Sequence, residues 1–384
     1  MTPDRRTLLA LFSFAFGVRV LYAVLMGTDP SIVPVRETYD FRIASGMASG
    51  WGWLSTPFSP NAPGYLIALA AVFRVFGASW WVAVLFNAAL GALTTLFVYR
   101  IGEKRLGRLV GLASALWLGA FVSQIHWASL VARDVLATCL LVWLAYSLVK
   151  PFARMRSAVW TAFLYLLLVY TEPMFVLLLP VLVLFLALRA TNHRALSLQY
   201  LFLFVAALFV MAIPWTLRNY VVHREIVPIS LKATRFTSAV HALDRETTRE
   251  TTGVARPEQA PGFVRNTVEY WRFARLTESP GNPAIGVRPE PAWSLRHNAA
   301  IILNFGILLP FCAAGMALAW RKRHRAALVL AGVVLSHALV RGVLGGSEEA
   351  RLPVEPFVIL LAFYGLRELL EMRRAAGSSP DATA

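Results

Sequence analysis

The chain has 384 residues, 58% of them hydrophobic and 15% charged, against about 25% charged in an ordinary soluble protein. Apolar runs recur from end to end, which excludes a soluble domain hung on one anchor and marks a polytopic membrane protein. The formal charge of +16 reads as basic loops that hold orientation in a membrane, not as nucleic-acid binding, because no basic stretch carries an RNA- or DNA-binding signature.

The expected fold class is all-α, with about ten membrane spans of roughly 20 apolar residues each. The first run, Leu8 to Met26, is too long for a signal-peptide core and has no small-residue cleavage site, so it reads as a retained helix. The spans fall at 7–27, 81–99, 109–126, 132–149, 157–171, 173–189, 197–216, 298–320, 326–341 and 353–371. The stretch 64–76 is short, opens with Pro63-Gly64 and carries Arg74, and reads as a juxtamembrane helix. Counting it as a span would put Arg100, Lys104, Arg105 and Arg108 on the outer side, against the positive-inside rule. With it excluded, the basic short loops all fall on one side and both termini lie in the cytoplasm.

Three outer segments remain: 28–80, 217–297 and roughly 342–352. In the long one, 244–262 has the composition of a flexible linker, and 263–276 that of an amphipathic helix resting on the bilayer. The integral membrane domain is expected to cover 1–371 and a disordered cytoplasmic tail 372–384. Cys139 and Cys312 lie inside apolar runs and read as small core residues.

Ionisable residues at membrane depth are expensive, so each is a functional candidate. Glu37 and Asp40 sit between Arg36 and Arg42 just after the first span. Either carboxylate can take a proton from an acceptor hydroxyl or amine, and the plainer reading is a solvated loop. His126, Arg133 and Asp134 flank the turn before the fourth span. Arg133 and Asp134 can simply pair, or Asp134 can orient a catalytic group or hold a divalent cation with His126. Glu172, before Pro173, reads equally as an interfacial residue. Arg218 emerges beside Asn219 at the end of the seventh span, in position to hold a lipid phosphate. Arg351 is a second phosphate candidate, and Glu355 lies inside an apolar run where it needs a partner. Arg19 and His337, inside spans, are expected to pair within the bundle or reach to its ends.

These residues carry a resemblance. The chain resembles the GT-C membrane glycosyltransferases, specifically the bacterial group related to protein O-mannosyltransferases and to the aminoarabinose transferases that modify lipid A. The matching features, in order, are Arg19; Glu37 with Phe41-Arg42-Ile43-Ala44 and Gly50; and Pro63-Gly64-Tyr65-Leu66 through Gly77. Asn87, Gly91 and Tyr99-Arg100 follow, then Asp134, then Pro214-Trp215-Thr216-Leu217-Arg218-Asn219-Tyr220. Arg351-Leu352-Pro353-Val354-Glu355-Pro356 closes the set.

The resemblance implies transfer of a sugar from a polyprenyl-phosphate donor to a lipid, glycan or protein acceptor, at the periplasmic face of a bacterial inner membrane. It implies Glu37 as the base and Asp134 as a supporting acid or metal contact, with Arg218 and Arg351 as phosphate holders. Arg133, His126, Glu172, Tyr65, Asn219 and Glu355 support them. The family usually carries Asp where this chain has Glu37, which leaves Asp40 as an alternative base. No cofactor is required by this reading, and a divalent cation at Asp134 and His126 is the one alternative. A transporter or flippase of lipid-linked sugars is expected to show inverted repeats and midplane helix breaks, and neither is visible in the sequence. An O-antigen polymerase or ligase, or a non-catalytic assembly partner, are the other rivals.

Overall fold

A computed structural model describes residues 5–27, 39–50, 62–149, 156–188, 194–224, 226–229, 263–271, 302–344 and 349–377. Everything regular among them is helical. The helices are α1 (Arg5–Gly27), α2 (Tyr39–Ala48), α3 (Pro63–Phe76), α4 (Trp80–Ile101), α5 (Arg108–Gly119), α6 (Val122–Ala128), α7 (Arg133–Val149), α8 (Arg156–Thr171), α9 (Leu179–Leu188), α10 (Arg194–His223), α11 (Phe263–Trp271), α12 (Leu308–Arg321), α13 (Arg325–Leu344) and α14 (Glu355–Gly377). Short 3-10 turns precede α9 (Pro173–Leu178) and α14 (Glu349–Val354), and short π-helical turns follow α4 (Gly102–Leu106) and precede α12 (Ile302–Gly306).

The helix positions follow the apolar runs closely. The number of spans is a separate matter. Five described helices are long and apolar enough to cross a membrane by themselves, or six if α5 and α6 form one broken span. The rest are shorter or carry more charge: α7 has 17 residues, α8 has 16, and α14 contains Glu355, Arg367, Glu368 and Glu371. α14 continues to Gly377, into the stretch expected as a tail. The linker at 244–262 and the residues 272–276 lie outside the described residues.

The third expected span, 109–126, is broken. α5 stops at Gly119 and α6 restarts at Val122, bent by 51°. The break has a partner in α1. Arg19 is buried, 1% exposed, and its Nη1 donates to the carbonyls of Ala15 (2.8 Å) and Gly119 (3.4 Å), with Nη2 near that of Leu118 (3.5 Å). A helix C-terminus leaves carbonyls without intrahelical partners and carries partial negative charge. A buried guanidinium at that place satisfies both.

Two close approaches fix the rest of the frame. Pro63 opens α3 in the first helical turn, where its missing N–H has no consequence. Gly64 then brings α3 against the end of α8: a Cβ there would lie 2.6 Å from Thr171 Oγ1 and 2.8 Å from Tyr170 and Thr171 backbone atoms. α12 and α14 meet through Gly315 and Gly365, where a Cβ on Gly365 would come within 2.6 Å of the Gly315 nitrogen. The main core joins α4, α5, α7, α8, α10, α12, α13 and α14, and Cys139 and Cys312 are buried free thiols within the bundle.

The helices alternate in direction, so charged helix ends collect in two places. The ends at Ile101, Arg108, Arg321 and Arg325 lie at one end of the bundle, where Lys322 and Arg367 both pair with Glu368 and Arg367 donates to the Leu106 carbonyl. The starts of α7 and α14 and the ends of α8, α10 and α13 lie at the other.

The Gly64 contact is testable. Gly64→Ala is expected to lower stability by about 1–3 kcal/mol, since the neighbour it meets is backbone. Gly17→Ala, with nothing within 4 Å of its Cβ, is expected to be neutral or slightly stabilising. Thermal unfolding of the two variants in one detergent makes the comparison.

Candidate active site

The site is assembled at the end of the bundle where α7 begins and α8 ends. α2 lies on α3 there: Phe41 meets Phe73 edge-on at 5.1 Å, and Arg74 donates to the Ala48 carbonyl at the end of α2 (2.8 Å). This packing sets Asp40, in the first turn of α2, beside Tyr65 of α3, whose phenol feels the charge of both Asp40 and Asp134. Tyr65 is 1% exposed and donates to Asn87 Oδ1 (3.2 Å), while Asn87 donates to the Leu130 carbonyl (2.6 Å). Burial pushes the Tyr65 phenol up, and the two carboxylates add to the shift. Tyr65 is therefore a neutral donor tying α3 to α4 and to the turn before α7.

Arg133 pairs with Glu172 (3.4 Å), and Asp40, Asp134 and Glu172 all act electrostatically on it. Asp134 in turn feels Glu172, Arg133 and Arg341. Three carboxylates and two guanidiniums from α2, α7, α8 and α13 thus share one neighbourhood. The structure brings together Asp40, Tyr65, Arg133, Asp134 and Glu172 from the sequence-read set. Glu37 lies outside the described residues.

His126 is placed elsewhere. Its Nδ1 shares a hydrogen bond with Tyr22 OH (2.9 Å), which ties α6 to α1. Among the described residues no group of three or more His, Cys, Asp or Glu is arranged to hold a metal ion.

Arg218 and Asn219 sit at the end of α10, under residues 226–229. Arg218 Nη1 donates to Asn219 Oδ1 (2.9 Å), Asn219 Nδ2 to the Val227 carbonyl (2.8 Å), and Trp215 Nε1 to the Ile229 carbonyl (2.6 Å). The Arg218 guanidinium lies over Trp215 at 5.2 Å, and Trp215 packs on Tyr170 (6.0 Å), two residues before Glu172. Arg218 thereby faces the same end of the bundle from the α10 side.

Arg351 and Glu355 form a second buried group, at the start of α14. They pair at 3.5 Å, Arg351 Nη1 donates to the Tyr270 carbonyl (2.9 Å), and the guanidinium stacks on Phe305 at 3.5 Å. Gln124 of α6 donates to Glu355 Oε2 (3.1 Å) and to the Leu352 carbonyl (2.8 Å). Glu355 is 1% exposed and Arg351 4%, so each depends on its partners.

Sequence reasoning passes over Arg341, Tyr270 and Gln124. Arg341 stands four residues after His337 on one helical face, the spacing at which side chains are neighbours. That spacing is the available signal. Tyr270 and Asn266 share a face of α11 in the same way; Asn266 donates to the Gly342 carbonyl (3.0 Å) and docks α11 on α13.

The fold has relatives among known proteins. The family described as dolichyl-phosphate-mannose-protein mannosyltransferase matches residues 59–217, which includes α3, Asp134, Glu172 and Trp215. The chain has the GT-C fold of that class of membrane glycosyltransferases, as the sequence resemblance implied. ArnT from Cupriavidus metallidurans, solved bound to undecaprenyl phosphate, superposes with a TM-score of 0.59 at 15% identity, over 94% of this chain and 63% of that one. The oligosaccharyltransferase AglB from Archaeoglobus fulgidus, solved with an inhibitory peptide and a dolichol-phosphate, superposes with a TM-score of 0.52 at 14% identity, over 98% of this chain and 52% of that one. The chain thus spans less than two thirds of the length of either. No curated protein matches the sequence.

The two ion pairs predict different costs. Arg133 is 36% exposed in its side chain and can hydrate, so Glu172→Leu is expected to lose about 1 kcal/mol or less. Glu355→Leu removes a counter-ion from buried Arg351 and is expected to lose about 3–5 kcal/mol. Denaturation of both variants against wild type reads the difference, and equal losses would contradict it.

Proposed function

We propose that this protein transfers a sugar from a polyprenyl-phosphate donor to a lipid, glycan or protein acceptor. The observation that carries the reading is the convergence of Asp40, Tyr65, Arg133, Asp134 and Glu172 at one end of a GT-C bundle. Undecaprenyl phosphate and dolichol-phosphate in the solved structures of two proteins with the same fold support the donor class.

The chemistry is displacement at the anomeric carbon with phosphate leaving. One carboxylate of the first loop, Glu37 or Asp40, takes the acceptor proton. Asp134 and Glu172, held by Arg133, keep negative potential around the acceptor and orient it. Arg218 and Arg351 stand on the other walls and stabilise the charge that develops on the leaving phosphate. The reaction needs no metal in this account. Basic residues at the opposite end, among them Lys104, Arg108 and Lys322, support a cytoplasmic position for that end under the positive-inside rule. The site then faces the periplasm of a bacterial inner membrane, with both termini cytoplasmic.

The test is transfer by the reconstituted protein from a radiolabelled panel of polyprenyl-phosphate sugars to a membrane extract. Wild type is expected to transfer one of them. Removing the base, by Glu37→Gln or Asp40→Asn, is expected to reduce the rate about 10²–10⁴-fold, and the other substitution to have a smaller effect. Full transfer by both variants would overturn the assignment of the base to the first loop, and no transfer by wild type from any donor would overturn the enzyme reading.

A further inference from the structure

The turn before α9 fixes the height of one face of α13. His337 stacks on Phe175 at 5.4 Å, and Phe175 lies three residues after Glu172, whose carboxylate meets Arg133 at 3.4 Å. α13 runs from the basic end of the bundle, at Arg325, toward the end where the carboxylates collect. Arg341, one turn beyond His337 on the same face, therefore stands about 6 Å further toward that end. There its charge acts on Asp134 as well as on His337.

Neither residue has the partner its charge calls for. Arg341 Nε is buried without a hydrogen bond, and among the described residues no carboxylate forms an ion pair with its guanidinium. The cation next to Asp134 in the chain, Arg133, is taken by Glu172. Thr138 Oγ1 donates to the backbone carbonyl of Asp134 (2.7 Å), but among the described residues no side chain donates to the Asp134 carboxylate. Two opposite charges thus lie within electrostatic reach of each other and without a direct bond, an arrangement that buried polar groups avoid unless something joins them. The joining group has to accept from a guanidinium and donate to a carboxylate at once. A hydroxyl does both. An anion would be repelled by Asp134, and an ammonium would be repelled by Arg341.

We propose that Arg341 and Asp134 select the transferred sugar by holding one of its ring hydroxyls between them, the guanidinium donating to the hydroxyl oxygen and the carboxylate accepting from the hydroxyl. The inference rests on the transferase reading and names residues that choose its sugar. The flanking groups argue for the sugar over the acceptor. Arg351 donates to the Tyr270 carbonyl (2.9 Å), and the Tyr270 hydroxyl shares a hydrogen bond with His337 Nδ1 (2.9 Å), so Arg341 adjoins the side proposed for the leaving phosphate. Asp134 adjoins Asp40, since both act on Arg133 and on Tyr65, and that is the side proposed for acceptor deprotonation. In a displacement at the anomeric carbon, the sugar ring is what lies between phosphate and acceptor.

The test is a set of binding titrations in detergent, read against the sugarless carrier. The probes are polyprenyl monophosphate, its glucosyl, galactosyl and mannosyl forms, and each of these with one hydroxyl in turn replaced by hydrogen. They are titrated into wild type, Arg341→Met, Arg341→Lys and Asp134→Asn, each variant first matched to wild type by thermal unfolding. In wild type, loss of one particular hydroxyl is expected to weaken binding about tenfold or more. Arg341→Met and Asp134→Asn are each expected to weaken the full sugar by a similar factor and to leave the sugarless carrier unchanged. In both variants, removing that same hydroxyl is expected to cost less than about threefold more, because its partner is already gone. Arg341→Lys is expected to recover part of the loss. Deoxy sugars that lose the same factor in wild type and variants, an equal loss of the sugarless carrier, or a wild type that binds no sugared form better than the bare carrier would each overturn the proposal. The expected binding pattern in a protein that transfers no sugar would remove the transferase reading alone; transfer without coupling of Arg341 to any sugar hydroxyl would remove this inference alone.

Discussion

A charge inside an apolar bundle has to find a partner, and that constraint organises this molecule. With roughly 20 apolar residues per crossing, few places can hold an ion, and those places are the ends of helices. Because the helices alternate in direction, their charged ends gather into two groups. At one end, Glu368 joins Lys322 and Arg367; at the other, Asp40, Arg133, Asp134 and Glu172 meet. The first group joins one carboxylate to two cations. The second gathers three carboxylates around Arg133, with Arg341 acting on Asp134 from α13.

The frame that holds the second group is made of small residues and buried polar ties. Gly64 lets α3 touch the backbone at the end of α8, which sets Tyr65 against Asn87 and brings Asp40 toward Arg133. Arg19 supports the bend between α5 and α6, and the bend lets Gln124 on α6 reach Glu355. The specific part of the structure is therefore the polar part, and the Leu, Val and Ala interior is the more replaceable one.

Much of this is legible in the order of the residues alone. The apolar runs mark the helices to within a few residues, because Arg and Lys clusters and Pro-Gly steps punctuate them. The ordered set from Arg19 to Glu355 indicates the GT-C fold; that Asp40, Tyr65, Arg133, Asp134 and Glu172 share one neighbourhood is visible only once the helices are packed. Other features depend on contacts far apart in the chain. The break at Ala120 is stabilised by Arg19, far earlier in the chain, so the run 109–126 reads as continuous. His126 lies near Asp134 in sequence, yet its partner is Tyr22 on α1. Arg341 looks like the end of a span until α7 is placed beside it, and Tyr270 has no meaning until α11 docks on α13 through Asn266.

The central claim is that this one bundle end is where a lipid-linked sugar reacts. The most direct measurement is a cryo-electron microscopy structure of the protein in nanodiscs with a phosphonate analogue of a polyprenyl-phosphate sugar, which cannot be turned over. The account predicts the phosphorus on the side of Arg218 and Arg351, with the anomeric carbon facing Asp40 and Asp134. Density for the headgroup at the opposite end, among Lys104, Lys322 and Arg367, would contradict it.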